Sequence, residues 1–540
     1  MKKVAFRRYG TAKAQSGVAL SLATGLALAL AACGTTPNAA TLPAAPGIVS
    51  MQDESKLFAE TYESIIEYHI EATHADEVTL TGLGQLPVID PNLAVSRDGK
   101  LVVLRRGIEV WSFTAPAPYD SIGWGTLTAS LLAAAREASP AVAAVRTDKL
   151  DEAVIGRSLA ALDPFSHYAR PELAREWRAA RDGFGGIGVS LDTDTGMRIT
   201  DVMAGSPAEQ AGIRPDDRIV SLDGVPSASM SSDDIREHLR GPAMSKIMLG
   251  IQRAGLERPI SLSVQRAHLV PPSVTLKEQN DIAILKISTF NQRTGPDLAL
   301  MMAKAHREIG GALAGIVLDL RDNPGGLLDQ SIEVASQFLA SGIVVTTIGR
   351  NPESFQYFAV PAEHVTEKLP MAVLVNGGSA SASEIVAAAL QDSGRAVVIG
   401  TASFGKGTVQ TVLRTSNDGE LTVTWAKLVT PKGYFLHHHG VVPTVCTANL
   451  PDDANANAIL QKTPVARLIE ARDDLNDTEW TDLRAACPAQ RADRGIDVTL
   501  ARQLIENPMA YSRATGGSAP RLAHNAPTTV AHNLAAGINR

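Results

Sequence analysis

The stretch Met371-Ala-Val-Leu-Val-Asn-Gly-Gly-Ser-Ala-Ser381-Ala-Ser-Glu384 decides the fold, because it joins a strand to a helix through a short turn. Met371 to Val375 is an unbroken apolar run bounded by turn formers, the pattern of a strand covered on both faces. From Ile385 to about Leu390 the apolar positions continue at helical spacing. Working outward, Ala283 to Ile287 and Gly315 to Leu320 are further buried strands separated by helical segments, so residues 269–450 read as an α/β core. Upstream, 183–268 alternates β-rich runs (Ile187 to Leu191, Met197 to Val202, Arg218 to Leu222, Ile247 to Arg253) with Gly/Pro turns and helical patterns near 206–212 and 232–239, the size of a small module. Residues 51–182 form a mixed, helix-rich N-terminal region, with helical spacing at Phe58, Tyr62, Ile65 and Ile66, over Leu127 to Glu137 and over Lys149 to Leu162. A helical extension is expected over 451–511, including a helix near 459–474, and a disordered tail over 512–540, where apolar periodicity is lost.

Three pieces of the α/β core carry chemistry. A helix amino terminus presents unpaired N–H groups and a positive dipole end, so Ser381 stands beside ready-made stabilisation for an oxyanion. The same serine with Glu384 three residues on also reads as a capping box, which requires no chemistry. In Ser403-Phe-Gly405-Lys406-Gly407-Thr-Val-Gln410 a lysine sits between glycines at the entrance of a strand. Flanking glycines let another backbone approach closely, and a lysine desolvated there has its pKa lowered toward neutrality, as a general base for serine requires. The spacing is not that of a phosphate-binding lysine loop. In Asp319-Leu-Arg321-Asp-Asn323-Pro-Gly325-Gly326, which follows a buried strand, the glycines can turn a backbone N–H into the same space.

These three motifs, in this order, resemble the carboxyl-terminal processing (tail-specific) serine proteases. The correspondence runs from Leu162-Asp-Pro-Phe165-Ser-His-Tyr168 to Gly440-Val-Val-Pro443, about half of the chain. The resemblance implies an α/β multidomain protein with a ClpP/crotonase-like catalytic core, in which Ser381 is the nucleophile, Lys406 the general base and Gln410 the residue that orients the lysine. It assigns oxyanion donors to the backbone N–H of Ala382 and to that of Gly325 or Gly326, and implies no cofactor. Asp392, roughly 15 Å along a continuous helix at about 1.5 Å per residue, stays outside this set. By the same resemblance 183–268 looks like a PDZ domain, with Gly186-Ile187-Gly188-Val189 as the carboxylate-capturing loop ahead of a strand edge that can pair with an extended peptide. Two departures bear on its loops: Asp216-Asp217 stands where the family usually has Gly-Asp, and Met244 where a glycine usually follows Arg-Gly-Pro. The expected partners are proteins or peptides with accessible carboxyl-terminal tails. The rival reading is a catalytically silent PDZ-containing binding lipoprotein; a crotonase-type hydratase fits the core but not the module.

Composition and termini place the protein. The 540 residues carry a formal charge of -7 and 4 % aromatics, so no chain-wide basic face and few stacking platforms point to nucleic acid. Lys2, Lys3, Arg7, Arg8 and Lys13 precede an apolar run from Val18 to Ala32, the grammar of a signal peptide over 1–32. The junction Leu30-Ala-Ala-Cys33 resembles a bacterial lipobox, which implies lipid on Cys33, a flexible tether over 33–50 and a lipid-anchored place in the bacterial cell envelope, facing the periplasm or the extracellular side. Cys446 and Cys487 are left as a pair that an oxidising compartment allows but sequence alone does not require. Three consecutive histidines, His437 to His439, alternate faces on an extended segment and have no carboxylate or cysteine at ligand spacing, so no metal site is expected.

Overall fold

The computed structural model describes residues 50–192, 196–361, 367–451, 453–455, 458–459, 475–491 and 494–515. The signal-like segment, Cys33, the tether, nearly all of the helix expected near 459–474 and the tail from 516 lie outside them. No helix among the described residues is long and apolar enough to cross a membrane.

In the N-terminal region the apolar spacings become helices Met51–Tyr68, Ser121–Ala138 and Thr147–Ala160, joined by Ala75–Leu83. Their apolar faces meet in one core around Phe58, Tyr62, Ile65, Trp124, Leu131 and Ile155. A three-stranded antiparallel sheet, Leu93–Asp98, Leu101–Arg106 and Glu109–Thr114, also packs here and was not anticipated. Its signal was present: two-residue hairpin loops at Gly99-Lys100 and Gly107-Ile108, with both glycines at positive φ. This region is tied to the core by strand His167–Ala169, which pairs antiparallel with Glu420 to Thr422.

The small module is a sheet in the order Ile260–Gln265, Lys246–Gln252, Arg218–Leu222, Arg198–Val202, Val189–Asp192. The expected strand Ile187 to Leu191 is interrupted: Phe184–Gly186 and Val189–Asp192 are separate strands, because Gly188 turns the chain at φ 86. The two departures from the family pattern occupy left-handed backbone, Asp216 at φ 69 and Met244 at φ 70, the conformation for which glycine is favoured. Asp217, by contrast, is buried and held in a two-point ion pair by Arg253, with Nη2–Oδ2 at 2.7 Å and Nε–Oδ1 at 2.8 Å.

The core sheet runs Val274–Gln279, Ile282–Ile287, Gly315–Asp319, Met371–Val375, Val397–Gly400, Val445–Cys446, parallel throughout except for the first pair. Helix Ala382–Asp392 is buried on all sides from Ala382 to Gln391, so it forms the centre of a layer. One face of the sheet packs against it; the other is covered by helix Gly495–Ile505 through Ile496, Leu500 and Leu504. A second sheet, Gln356–Ala359, Ile343–Ile348, Glu420–Val429, Thr408–Arg414, carries the strand that follows Lys406.

The expected tail begins too early at 512. Helix Pro508–Ala514 continues past that point, because Tyr511 Oη accepts from Met371 N–H at 2.8 Å and donates to Met371 O at 2.9 Å, fixing a helix too short to show a period. The remaining cysteines are joined: Cys446 and Cys487 form a disulfide with Cα atoms 5.9 Å apart. It closes a loop of sequence separation 41, for which loop-closure entropy predicts about 4 kcal/mol of stabilisation. Replacing both cysteines by serine is therefore expected to lower the urea midpoint of the core transition and to steepen its slope, because the unfolded chain loses a constraint and exposes more surface, measured by denaturation of the oxidised wild type beside the variant.

Candidate active site

The turn between Val375 and Ala382 is held by its side chains. Ser379 Oγ donates to Leu320 O at 2.8 Å and accepts from Asn376 N–H at 3.0 Å, while Ser383 Oγ donates to Asn323 O at 2.9 Å. Both flanking serines thus bind the turn to the 319–326 segment. Ser381, at the point of the turn, has φ 56 and ψ -116, a conformation that costs a non-glycine residue about 1–3 kcal/mol. Its hydroxyl donates to no acceptor among the described residues, so of the three serines it is the one left for chemistry.

Glu384 organises what surrounds it. The capping box forms, with Glu384 Oε2 accepting from Ser381 N–H at 2.8 Å, but the carboxylate does more than cap. Oε2 also accepts from Lys406 N–H at 2.9 Å, and Oε1 accepts from Gly405 N–H at 2.7 Å and from the Ser403 hydroxyl. One fully buried carboxylate therefore binds the backbone of the serine and that of the lysine with the same oxygen. Burial pushes its pKa up, against the pull of these four donors.

Lys406 lies where its flanking glycines predicted, under a closely approaching backbone. A Cβ on Gly407 would meet His437 N at 1.8 Å, and one on Gly405 would meet His438 C at 3.2 Å. The lysine Nζ stands 5.3 Å from the centroid of the Phe165 ring. Burial lowers its pKa below the ordinary lysine range, and the negative charges of Glu384 and Asp163 oppose that shift without reversing it. Asp163 in turn accepts from Phe165 N–H at 2.8 Å and from Thr424 Oγ1 at 2.9 Å, so the N-terminal region supplies both the ring and a charge beside the lysine. Gln410 is two steps along the following strand edge, and its Nε2 donates to Thr408 Oγ1 at 2.9 Å and Thr424 Oγ1 at 3.2 Å. Its amide nitrogen is engaged by the strand pair, leaving Oε1 as the atom with which it can address the lysine.

The glycine turn packs against the serine. A Cβ on Gly325 would lie 2.8 Å from Ser381 Cβ and 3.0 Å from Ala382 N, so a glycine is required there by space as well as by its φ of 102. Gly325 N–H is taken by Asn323 Oδ1 at 2.8 Å, whereas the N–H groups of Gly326 and Ala382 have no acceptor among the described residues. Asp392 accepts from Lys432 N–H at 3.2 Å near the far end of the helix, a structural task. Of the three histidines, His439 stacks on Trp480 with centroids 4.6 Å apart and His437 meets the Phe165 ring edge-on at 6.1 Å, while His438 is exposed; no cluster able to hold a metal occurs among the described residues.

In the module, Val189–Asp192 is the edge strand of its sheet. Ile187 is buried in the module core, its carbonyl accepts from Ala208 N–H at 2.9 Å, and Gly188 O accepts from Met203 N–H at 2.9 Å, which holds the Gly186–Val189 loop in shape. A Cβ on Gly188 would strike Ser206 Cβ at 2.4 Å, so the loop can close only with glycine. A cavity of about 520 Å³ lined by Ser206, Arg266, His268 and Arg293 lies beside the module and includes no residue of the Ser381–Lys406 group.

Sequence reasoning saw Glu384 only as a cap and did not single out Asp163, Phe165 individually, Ser403 or Arg484. Glu384, Ser403, Asp163 and Phe165 all lie inside stretches already quoted, but no local pattern reveals that they meet around Lys406; Arg484, whose Nη2 donates to Ser403 O at 3.0 Å, lies in none of those stretches.

Two segments of the chain match known protein families. Residues 281–447 match the model of peptidase family S41, and residues 198–253 match that of the PDZ domain. A carboxy-terminal-processing protease of Bartonella bacilliformis is 38 % identical over 300 residues, covering 55 % of this chain and 69 % of that one. A probable CtpA-like serine protease of Staphylococcus aureus is 32 % identical over 366 residues, covering 67 % and 71 %. Among solved structures, the photosystem II D1 C-terminal processing protease is similar over 73 % of this chain and 92 % of its own, with 24 % identity and a TM-score of 0.37.

The geometry makes Glu384→Gln a sharp test. The amide can satisfy only one side of the carboxylate's donor set, leaving two buried donors facing an NH2 group, at about 1–3 kcal/mol for each orphaned group. A loss of stability of about 2–6 kcal/mol by urea denaturation is the expected outcome, together with loss of whatever chemistry needs Ser381 and Lys406 side by side.

Proposed function

Because this chain belongs to the carboxy-terminal-processing serine proteases of peptidase family S41 and carries a PDZ domain, we propose that it is an endopeptidase that selects protein substrates by their carboxyl-terminal tails and cleaves them with a Ser381/Lys406 dyad. The single observation that carries the dyad is the shared Glu384 oxygen, which holds Ser381 N–H at 2.8 Å and Lys406 N–H at 2.9 Å.

In this reading the neutral Lys406 amine takes the proton of Ser381 Oγ as that oxygen attacks the scissile carbonyl carbon. The carbonyl π electrons move to oxygen, and the oxyanion is met by the N–H groups of Ala382 and Gly326, the latter because Gly325 N–H is already engaged. Collapse breaks the C–N bond, and the lysine ammonium returns its proton to the leaving amine. Water then adds to the acyl-serine with the same lysine as base, releasing the acid and restoring the hydroxyl. Gln410 Oε1 is the acceptor proposed to orient the lysine. Desolvation of Lys406, more than any partner, lowers its pKa and so raises the fraction of free amine at a given pH.

The PDZ edge strand Val189–Asp192, with the Gly186–Val189 loop at its head, is proposed to bind the tail by strand addition. The signal-like segment and Leu30-Ala-Ala-Cys33 support a lipid-anchored position in the bacterial envelope, with substrates reached from that surface.

The test is cleavage of an unstructured reporter bearing an apolar carboxyl-terminal tail by residues 34–540, over pH 6 to 10. Wild type is expected to cut, Ser381→Ala and Lys406→Ala to be inactive, and kcat/KM to rise with pH along a single limb below the ordinary lysine range, since the lowered pKa leaves the amine free above it. An inert wild type whose PDZ domain still binds the tail would instead favour the silent binding protein.

A further inference from the structure

Helix Asp477–Ala486 lies outside the segment matched by the peptidase family, yet it reaches the lysine loop. Trp480, Arg484 and Cys487 fall at i, i+4 and i+7, one face of that helix. Trp480 is buried, stacked on His439 and packed 4.9 Å from the Tyr434 ring, and Cys487 is bridged to Cys446 on the edge of the core sheet. Between these two anchors, Arg484 Nη2 donates to Ser403 O at 3.0 Å and Nη1 donates to His439 O. Those carbonyls belong to the two segments that close on the lysine: Ser403 opens the loop and gives its hydroxyl to Glu384, and the backbone of His437 and His438 lies against Gly407 and Gly405. A Cβ on Gly440 would lie 2.8 Å from Arg484 Nη1 and 3.0 Å from Glu384 Oε1, so guanidinium and carboxylate face each other across a residue with no side chain.

We propose that Arg484 is a positioning residue for the Ser381–Lys406 pair: its guanidinium ties the Ser403 and His439 carbonyls together and so holds the loop that presents Lys406 to Glu384. The inference rests on the protease reading above. A planar fork with separate donors can bridge two carbonyls, whereas an ammonium on a flexible stem reaches them less rigidly. Charge adds a second consequence. Lys406 is faced by Glu384 from its helix, by Asp163 from the N-terminal region and, beyond the Phe165 ring, by His437, whose pKa is lowered to about 4 by burial and which is therefore neutral near pH 7. Arg484 is a positive charge near Glu384; without it the field of that carboxylate on the lysine is less compensated, and the lysine holds its proton to higher pH.

The experiment compares wild type, Arg484→Met, Arg484→Lys and Ser381→Ala for kcat and KM on the tailed reporter over pH 6 to 10. Each protein is also melted and labelled with a fluorophosphonate serine probe. Arg484→Met is expected to lose about tenfold to a hundredfold in kcat with KM changed less than about twofold. Its acid limb should move to higher pH, its melting should stay cooperative above the assay temperature, and Arg484→Lys should recover part of the rate. The inference is overturned if Arg484→Met keeps kcat within about twofold and the limb in place, or if its loss follows thermal unfolding alone with no recovery in Arg484→Lys. Should Arg484→Met not fold, Arg484→Lys decides: a wild-type kcat and limb overturn the inference, a lowered kcat with a cooperative melt upholds it. If wild type is as silent as Ser381→Ala toward both reporter and probe, the protease reading fails and takes this inference with it.

Discussion

A carboxylate shut away from water is the constraint on which the site depends. Glu384 is fully buried, and a buried charge persists only where donors replace its lost hydration. Here the donors are Ser381 N–H, Lys406 N–H, Gly405 N–H and the Ser403 hydroxyl, drawn from a helix start and from a loop nineteen or more residues further on. Satisfying the carboxylate and bringing the backbones of Ser381 and Lys406 together are consequently one event. Any movement of the lysine loop away from the helix strips donors from the buried charge, so the loop is held against the helix start by the penalty for orphaning it.

That arrangement explains why the surrounding elements are where they are. The helix must be buried on all sides to bury Glu384, hence a parallel sheet of apolar strands on one side and the second sheet, Phe165 and the histidine segment around the lysine. The strained backbone of Ser381 survives because Ser379 and Ser383 bind both sides of it to the 319–326 segment. The same fastening sets Gly325 against Ser381 Cβ and leaves the next N–H, that of Gly326, without an acceptor among the described residues. Pre-organised N–H groups of this sort need no rearrangement when charge develops.

How much of this was legible in the sequence follows from the range of each interaction. The α/β core, the position of Ser381 at a helix start and the clamped lysine were readable, because strand runs, helix starts and glycine pairs are written within ten residues. Ser381 and Glu384 as a capping box was a correct local reading that concealed the larger role, since nothing near 384 announces that a loop beginning at Ser403 completes the donor set. The three-stranded sheet at 93–114 was missed although Asp98-Gly99 and Gly107 marked its turns, since Val102, Val103 and Leu104 are buried in succession while Leu101 and Val110 are apolar yet exposed, which breaks the two-residue alternation. The PDZ departures, Asp216 and Met244, were visible as substitutions, but only the coordinates show that each keeps the left-handed backbone that a glycine usually serves. The module has thus kept its loop geometry while giving up the residue that makes that geometry cheap.

The surroundings of Ser381 and Lys406 also draw on both ends of the described chain. From the N-terminal side come Phe165 and Asp163, the latter anchored by His69 Nε2 at 3.2 Å, so the end of the first helix is one contact from a charge that acts on the lysine. From the C-terminal side comes a helix stapled by Cys446–Cys487 and packed through Trp480. Neither end lies in the segment that defines the peptidase family, and both press on the same few atoms. A core whose lysine is desolvated by outside elements has its base strength set by them, because the free-amine fraction follows from how completely water is excluded. If Lys406 is the base, as proposed, loosening either flank readmits water to it and raises its pKa, which lowers the free-amine fraction at a given pH.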